Sequence, residues 1–325
     1  MTYKTYEATV DENGRIRLLA PVSLNRGAKA LVIVIEDEQA SSGADETPTV
    51  LSDTISSQAA APDWSNRYRV LEPLGEGGMG RVVLAERLAD GERVCLKFLH
   101  ERTDRRMFEQ ECRALLRLRH PSIIGLLDFS LDQTPPWLVT EYAKGATLEN
   151  YLKSNGALPE QDVIAVLQPF LEALDYAHSQ AVIHRDLKPA NLILNREQER
   201  WRVRILDFGI ALVDKFDYGD RITAEGAPPV GTFLYMAPEQ FRSELITPAC
   251  DIYAAGLIAW EMLMGRPAFQ AAGLAQLVHQ KMAQRPSPVP SILGEWIEAC
   301  THVEPATRPS ARDGLEMLRK ISGQR

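Results

Sequence analysis

Short runs of β-branched and aliphatic residues recur between glycines early in the chain: Arg69 to Leu74, Arg81 to Arg87 and Arg93 to Leu99. Such runs, divided by turn residues, predict a small antiparallel sheet. From Arg105 to Leu118 the period changes. Phe108, Glu111, Leu115 and Leu118 recur at helical spacing, and Pro121 marks the next boundary. Beyond Glu149 helical patterns dominate: Pro159 to Ser179, Asp251 to Met264, Leu274 to Met282, Ser291 to Cys300 and Ala311 to Ile321. The pattern predicts an α+β chain of two lobes, β-rich then helical, with a ligand-sized cleft between them.

The first residues follow another rhythm. YKTYEATV and RIRLL flank Asp11-Glu12-Asn13-Gly14, which predicts a hairpin, and Ala30 to Ile35 (ALVIVI) reads as a strand apolar on both faces. Residues 1–37 are too few to build a core alone. This small β module is expected to pair with a second copy, giving a homodimer, or to lie on the rest of the chain. Residues 38–66, rich in Ser, Thr, Ala, Asp and Pro, have the composition of a flexible linker. A steady globular pattern then runs from Tyr68 to about Ile321.

Composition narrows the classes. The 325 residues carry 36 Lys and Arg against 44 Asp and Glu, a net charge of −8. With 45% hydrophobic and 25% charged residues the chain is an ordinary globular protein, neither disordered nor collagen-like. The acidic balance argues against broad nucleic-acid binding, which needs a basic face. The most apolar stretch, Ala254 to Met264, is interrupted by Glu261 and falls short of the ~20 residues of a membrane helix. No leader is evident at the N-terminus. Cys95, Cys112, Cys250 and Cys300 lie far apart with no CxxC pair, and the six histidines lack metal-ligand spacing. Together these read as a cytoplasmic protein with reduced thiols.

Several groupings point to chemistry. Leu74-Gly75-Glu76-Gly77-Gly78-Met79-Gly80-Arg81-Val82 holds GxGxxG. Glycines let a backbone approach phosphate oxygens without a Cβ clash, although such loops are often only turns. A dinucleotide fold would place a helix next; Val82 to Ala85 reads instead as a strand. Val94-Cys95-Leu96-Lys97 ends a strand with a lysine, either an exposed strand residue or an ammonium for nucleotide phosphates held by a carboxylate. Glu111 shares a helix face with Leu115 and Leu118 and is chosen over Glu109, about 200° around the helix. His184-Arg185-Asp186-Leu187-Lys188-Pro189-Ala190-Asn191 gathers a carboxylate, a cation and an amide within six positions. Asp186 suits proton acceptance from a hydroxyl nucleophile, Lys188 charge neutralisation on a phosphoryl group, and Asn191 an oxygen ligand for Mg²⁺. Asp207-Phe208-Gly209, sixteen positions after Asn191 and behind the strand Val203 to Leu206, offers a second oxygen ligand. Ala237-Pro238-Glu239, Asp251 and Arg308 read as structural: Glu239 as ion partner of Arg308, Asp251 as anchor of the Asp186 loop.

With these motifs in order, residues 68–321 resemble the eukaryotic-like Ser/Thr protein kinases of bacteria. The resemblance implies the bilobal protein-kinase fold and transfer of the ATP γ-phosphoryl group to protein Ser or Thr with Mg²⁺. A catalytically inactive nucleotide-binding scaffold and a small-molecule kinase are the alternatives, and the intact motifs and Thr232 speak against them. By resemblance Thr140 is the gatekeeper, Glu141 to Ala143 bond adenine through their backbone, and Leu74 and Val82 cover the base. Cys95 stands where alanine is usual. Ala181 stands where glycine is frequent, a replacement that is costly if the position needs positive φ. Between Asp207 and Glu239 the threonines are Thr223 and Thr232 and there is no serine. Thr232 is expected in the substrate platform beside Asp186 and Lys188, and Thr223 as the activating phosphosite. Hydroxyls around Asp45 to Thr49 suggest autophosphorylation there and a phosphothreonine-binding-domain partner. The first 37 residues weakly resemble small β antitoxin or swapped-hairpin modules.

Overall fold

The computed structural model describes residues 8–10, 16–18, 63–76, 80–100, 105–208, 233–242 and 245–323. The chain divides into two units, Met1–Ala59 and Ala60–Arg325. In the first, β1 (Ala8–Val10) pairs antiparallel with β2 (Ile16–Leu18), Val10 opposite Ile16, as the hairpin signal requires. The turn Asp11 to Gly14 and the strand expected from Ala30 to Ile35 lie outside the described residues.

The second unit begins with a 3₁₀ turn at Asp63–Asn66, in residues that composition groups with the linker. Its five-stranded sheet has the order β3-β4-β5-β7-β6. The strands are β3 (Tyr68–Glu76), β4 (Gly80–Arg87), β5 (Arg93–Leu99), β6 (Leu126–Ser130) and β7 (Trp137–Glu141), all antiparallel. Register sets Val82 opposite Lys97 and Cys95 opposite Thr140. Because side chains alternate, these four share one face. The other face, with Val83, Val94, Leu96, Phe98 and Val139, is closed by Tyr68 and Trp64. The helix α1 (Arg105–Arg117) packs Phe108 and Cys112 onto Leu99 and Leu138.

The helical part contains α2 (Leu148–Asn155), α3 (Glu160–Ser179), a short α4 (Pro238–Phe241), α5 (Ala249–Met264), α6 (Leu274–Ala283), α7 (Gly294–Cys300) and α8 (Ala311–Gly323). Every residue of α5 from Cys250 to Met262 is buried, Asp251 and Glu261 included, and this mostly apolar helix forms the centre of the lobe. At Gly256 an added Cβ would lie 2.8 Å from Cys300 Cβ, so glycine permits the close approach of α7. A three-stranded sheet of β8 (Ala146–Thr147), β9 (Leu192–Glu197) and β10 (Arg200–Ile205) stands beside α2 and α3. Of these strands the sequence pattern marks only the stretch Val203 to Leu206. The helix expected from Ser291 starts at Gly294 instead. Ser291 Oγ and the Ile292 N–H both donate to a Glu160 carboxylate oxygen, at 2.6 and 3.0 Å, and hold those residues in a turn.

Two structural expectations are met. Arg308 donates to both oxygens of Glu239 at 2.6 and 2.9 Å, with both side chains almost fully buried. Ala181 has φ +56°, directly after α3, and the Val182 N–H reaches back to Ala177 O at 3.0 Å. This is a helix C-terminal cap whose left-handed position ordinarily takes glycine. Ala181→Gly is expected to stabilise the protein by about 1 kcal/mol, raising Tm by about 2–4 °C in a thermal melt. A lower Tm would contradict this reading.

Candidate active site

Helix α1 and strand β5 bring two distant residues together. Lys97 Nζ donates to Glu111 Oε1 and Oε2 at 2.7 and 2.8 Å, and to Asp207 Oδ1 at 3.4 Å. Side-chain exposure separates the two carboxylates: 2% for Glu111 and 54% for Asp207. Glu111 therefore holds the lysine, while Asp207 faces the open space. Burial works to lower the Lys97 pKa, but the charges of Asp207 and Glu111 outweigh it and hold the ammonium above its ordinary value. The Lys97 charge in turn holds Asp207 below the usual carboxylate range. Glu109 pairs with Arg113 along α1 at 2.6 Å, as its position off the buried face requires.

The loop carrying Asp186 is fixed from beneath. Asp251, near the start of α5, accepts from the backbone N–H groups of His184 and Arg185, both at 2.9 Å, and from His178 Nε2 at 2.8 Å. Burial raises the Asp251 pKa, but these bonds outweigh burial and hold it below 3.8. Asp186 pairs with Lys188 at 2.6 Å. Asn191 Nδ2 donates to Asp186 O at 2.8 Å, the Leu206 N–H donates to Asn191 O at 2.9 Å, and His184 Nε2 donates to Leu206 O at 2.8 Å. The residue before Asp207 is thus tied twice to the loop of Asp186. Phe208 is buried with its ring 4.6 Å from that of His184. Arg185 and Asp207 take φ of +67° and +55°. Left-handed backbone costs ~1–3 kcal/mol at a non-glycine residue and persists only where its surroundings over-determine it; here those bonds do so.

The sheet face bearing Lys97 also carries Val82, Cys95 and Thr140. Burial, followed by the Asp207 charge, pushes the Cys95 thiol up to about 11, so it is a neutral wall residue. Leu74 is exposed on β3 and Ala143 packs against the helical core. Gly75 has open space around it; at Gly80 a Cβ would lie 2.0 Å from Phe98 O, so only glycine fits. Glu76 contacts His100 at 3.4 Å. Gly77, Gly78, Met79, Thr223 and Thr232 lie outside the described residues.

Three features escaped the sequence reading. The Glu141 carboxylate pairs with Arg204 of β10 and accepts from the Gly125 N–H at 3.3 Å, tying β7 to the helical lobe. His178 braces Asp251. Gln240 accepts from the Ala237 N–H and donates to Arg185 O, both at 2.9 Å. Of these, only Gln240 had a signal, its place directly after Ala237-Pro238-Glu239.

Among the described residues no cluster of three or more His, Cys, Asp or Glu is built to hold a metal alone. Asn191 uses its amide nitrogen on Asp186, which leaves its oxygen as the ligand atom, and Asp207 is an exposed, readily ionised carboxylate. Two hard oxygen donors fit Mg²⁺ shared with substrate phosphates. Asp251→Asn tests the anchor. The depressed pKa of Asp251 means its contribution is fully present above the ordinary value of 3.8 and is lost as pH falls through the folded value. The stability gap between wild type and Asp251→Asn is therefore expected to narrow as the pH falls below 3.8 in denaturant titrations; a constant gap would contradict it.

The protein kinase domain family matches residues 68–318. Over 252 residues the chain is 31% identical to the probable serine/threonine-protein kinase PknB of Bifidobacterium longum, covering 72% of this chain and 36% of that protein. It is 32% identical over 287 residues to the serine/threonine-protein kinase PkaA of Streptomyces coelicolor, covering 79% and 50%. With the serine/threonine-protein kinase pkn3 of Myxococcus xanthus it shares 36% identity over 231 residues, covering 68% and 42%. The chain thus spans between about a third and a half of the length of these relatives. The lysine, carboxylates and amide that gather at the cleft lie inside the matched residues, and the chain belongs to the protein kinase domain family.

Proposed function

We propose that this protein is a serine/threonine protein kinase that transfers the γ-phosphoryl group of ATP to Ser or Thr hydroxyls of protein substrates and of itself. The observation that carries the reading is the ammonium of Lys97, gripped by buried Glu111 and turned toward exposed Asp207. Lys97 binds phosphate oxygens, and Glu111 keeps it in place. The sheet face of Val82, Cys95 and Thr140, with Leu74 above and the backbone of Glu141 and Ala143 beside it, takes the adenine. Gly75, Glu76, Gly77, Gly78, Met79 and Gly80 cover the phosphates. Asn191 and Asp207 hold Mg²⁺, which when bound neutralises phosphate charge and orients the triphosphate. The acceptor hydroxyl oxygen bonds to the γ-phosphorus as the bond to ADP breaks, and its proton passes to Asp186. Lys188, 2.6 Å from Asp186, neutralises charge on the moving phosphoryl group.

The organisation proposed with it is a β module at 1–37 that pairs two copies, a linker at 38–66 and the kinase domain at 68–321. Thr223 is the activating phosphosite, Thr232 belongs to the substrate platform, and phosphorylated linker threonines recruit a phosphothreonine-binding domain. Among the described residues no helix is long and apolar enough to cross a membrane.

Incubation with Mg²⁺ and ATP, followed by mass-spectrometric site mapping, tests the assignment. Wild type is expected to carry phosphate at Thr223, and Asp186→Ala to lower phosphoryl transfer by about 10²–10⁴-fold without loss of nucleotide binding. Equal phosphorylation of the two proteins would contradict the role of Asp186, and unmodified Thr223 in active protein that of Thr223.

A further inference from the structure

Among the described residues, the buried cation of Lys281 has no role in the kinase reading. Lys281, on α6, has no solvent exposure. Its ammonium lies 5.0 Å from the ring centroid of Tyr253 and 4.9 Å from that of Phe269, and donates to Met236 O at 2.9 Å. Among the described residues no carboxylate comes within ion-pair distance of it. The charged groups around the cage are Glu239 on α4 and Arg308, whose guanidinium is spent on Glu239 and stacks 4.8 Å from the same Tyr253 ring. Burial, followed by the Arg308 charge, holds the Lys281 ammonium well below its ordinary value. Cation–π contacts offset part of the desolvation. An apolar side chain of similar length would still fill this place at lower cost. What lysine adds is its bond to Met236.

That bond has a partner on the other side of the same peptide group. The Met236 carbonyl is held by Lys281, and the adjoining Ala237 N–H by Gln240, which also bonds Arg185 O beside Asp186. A small recess lined by Asp186, Leu187, Tyr235 and Met236 confirms that this segment lies against the loop of Asp186. Both polar atoms of one peptide unit are therefore pinned, one to Lys281 of α6 and one to Gln240 of α4, whose side chain in turn bonds the catalytic loop.

We propose that Lys281 is a positioning residue for the protein substrate: through the Met236 carbonyl it holds residues 233–237 against the catalytic loop, where they form the floor for the acceptor segment. The inference rests on the kinase reading above. Lys281 touches neither nucleotide nor the reacting hydroxyl, so its removal acts on acceptor binding alone.

Steady-state kinetics with dephosphorylated myelin basic protein as acceptor provide the test. In Lys281→Met the KM for the acceptor is expected to rise about tenfold, the effect of one lost hydrogen bond to a charged group, with kcat and the KM for ATP within about twofold of wild type. An unchanged acceptor KM, or a parallel shift of kcat and both KM values, overturns the proposal. A second measurement needs no variant. In wild-type protein carrying ¹³C at lysine Cε, the Lys281 resonance is expected to move when acceptor is added and to stay in place with Mg-nucleotide alone. A resonance that ignores the acceptor overturns the proposal too. Wild type that transfers no phosphate to itself or to the acceptor would instead overturn the kinase reading, and this inference with it.

Discussion

A lysine ammonium shared by two carboxylates of unequal exposure is the interaction on which the rest of the site depends. Lys97 and Glu111 come from the sheet and from α1, and Asp207 follows the end of β10. A buried ion pair is weak evidence for stability, because desolvation of both charges cancels most of their attraction. Breaking one by removing a single partner costs ~3–5 kcal/mol, since the remaining charge is stranded. The pair therefore acts as a constraint more than as a source of stability: α1 stays where Glu111 can reach Lys97, and the third N–H of the ammonium, on the long contact to exposed Asp207, is the donor a ligand can take. The 3.4 Å contact to Asp207 is long for a charged hydrogen bond, as suits a group whose other face is open.

The helical lobe solves the complementary problem of holding a strained loop. Asp251 supplies two acceptors from α5, a helix buried along nearly its whole length, and its charge survives there because three donors converge on it. Hydrogen bonds to a charged group contribute about 1.5–3 kcal/mol each, enough to offset a left-handed Arg185. The buried Glu239–Arg308 pair fastens α4 to the segment before α8. Gln240 links that short helix back to Arg185 O. The positions of Asp186, Asn191 and Asp207 are thus fixed by bonds among backbone atoms and buried side chains, and need no ligand to be maintained.

Much of this is legible in the sequence alone. The choice of Glu111 over Glu109 followed from helix period alone, because a helix with one apolar face decides which carboxylate points inward. The concern at Ala181 comes from the resemblance, alanine standing where glycine is frequent, and its φ of +56° gives the physical reason. The Arg308–Glu239 pair and the Asp251 anchor are expected from the place of these residues among the motifs, and the structure holds both. Strands β6 and β7 were not read: Leu126 to Ser130 carries Asp128 in a short mixed run, and Trp137 to Glu141 follows a proline pair without alternation. The hairpin of β9 and β10 was hidden by its charges, and its turn residues Gln198 and Glu199 adopt positive φ without glycine or asparagine to announce it. The start of α7 moved because Glu160, more than a hundred positions away, captures Ser291 and Ile292. Local pattern carries no information about such a partner. Lys281 was missed for the same reason, since its cage comes from four separate stretches of chain.

Calorimetric titration of ATP, with and without Mg²⁺, into wild type and Asp207→Asn tests the central claim most directly. Convergence of Lys97, Glu111 and Asp207 on one triphosphate predicts that Mg²⁺ strengthens ATP binding to wild type and that Asp207→Asn loses this metal dependence while still binding ATP through Lys97. Equal Mg²⁺ dependence in the two proteins, or no ATP binding by wild type, would contradict it.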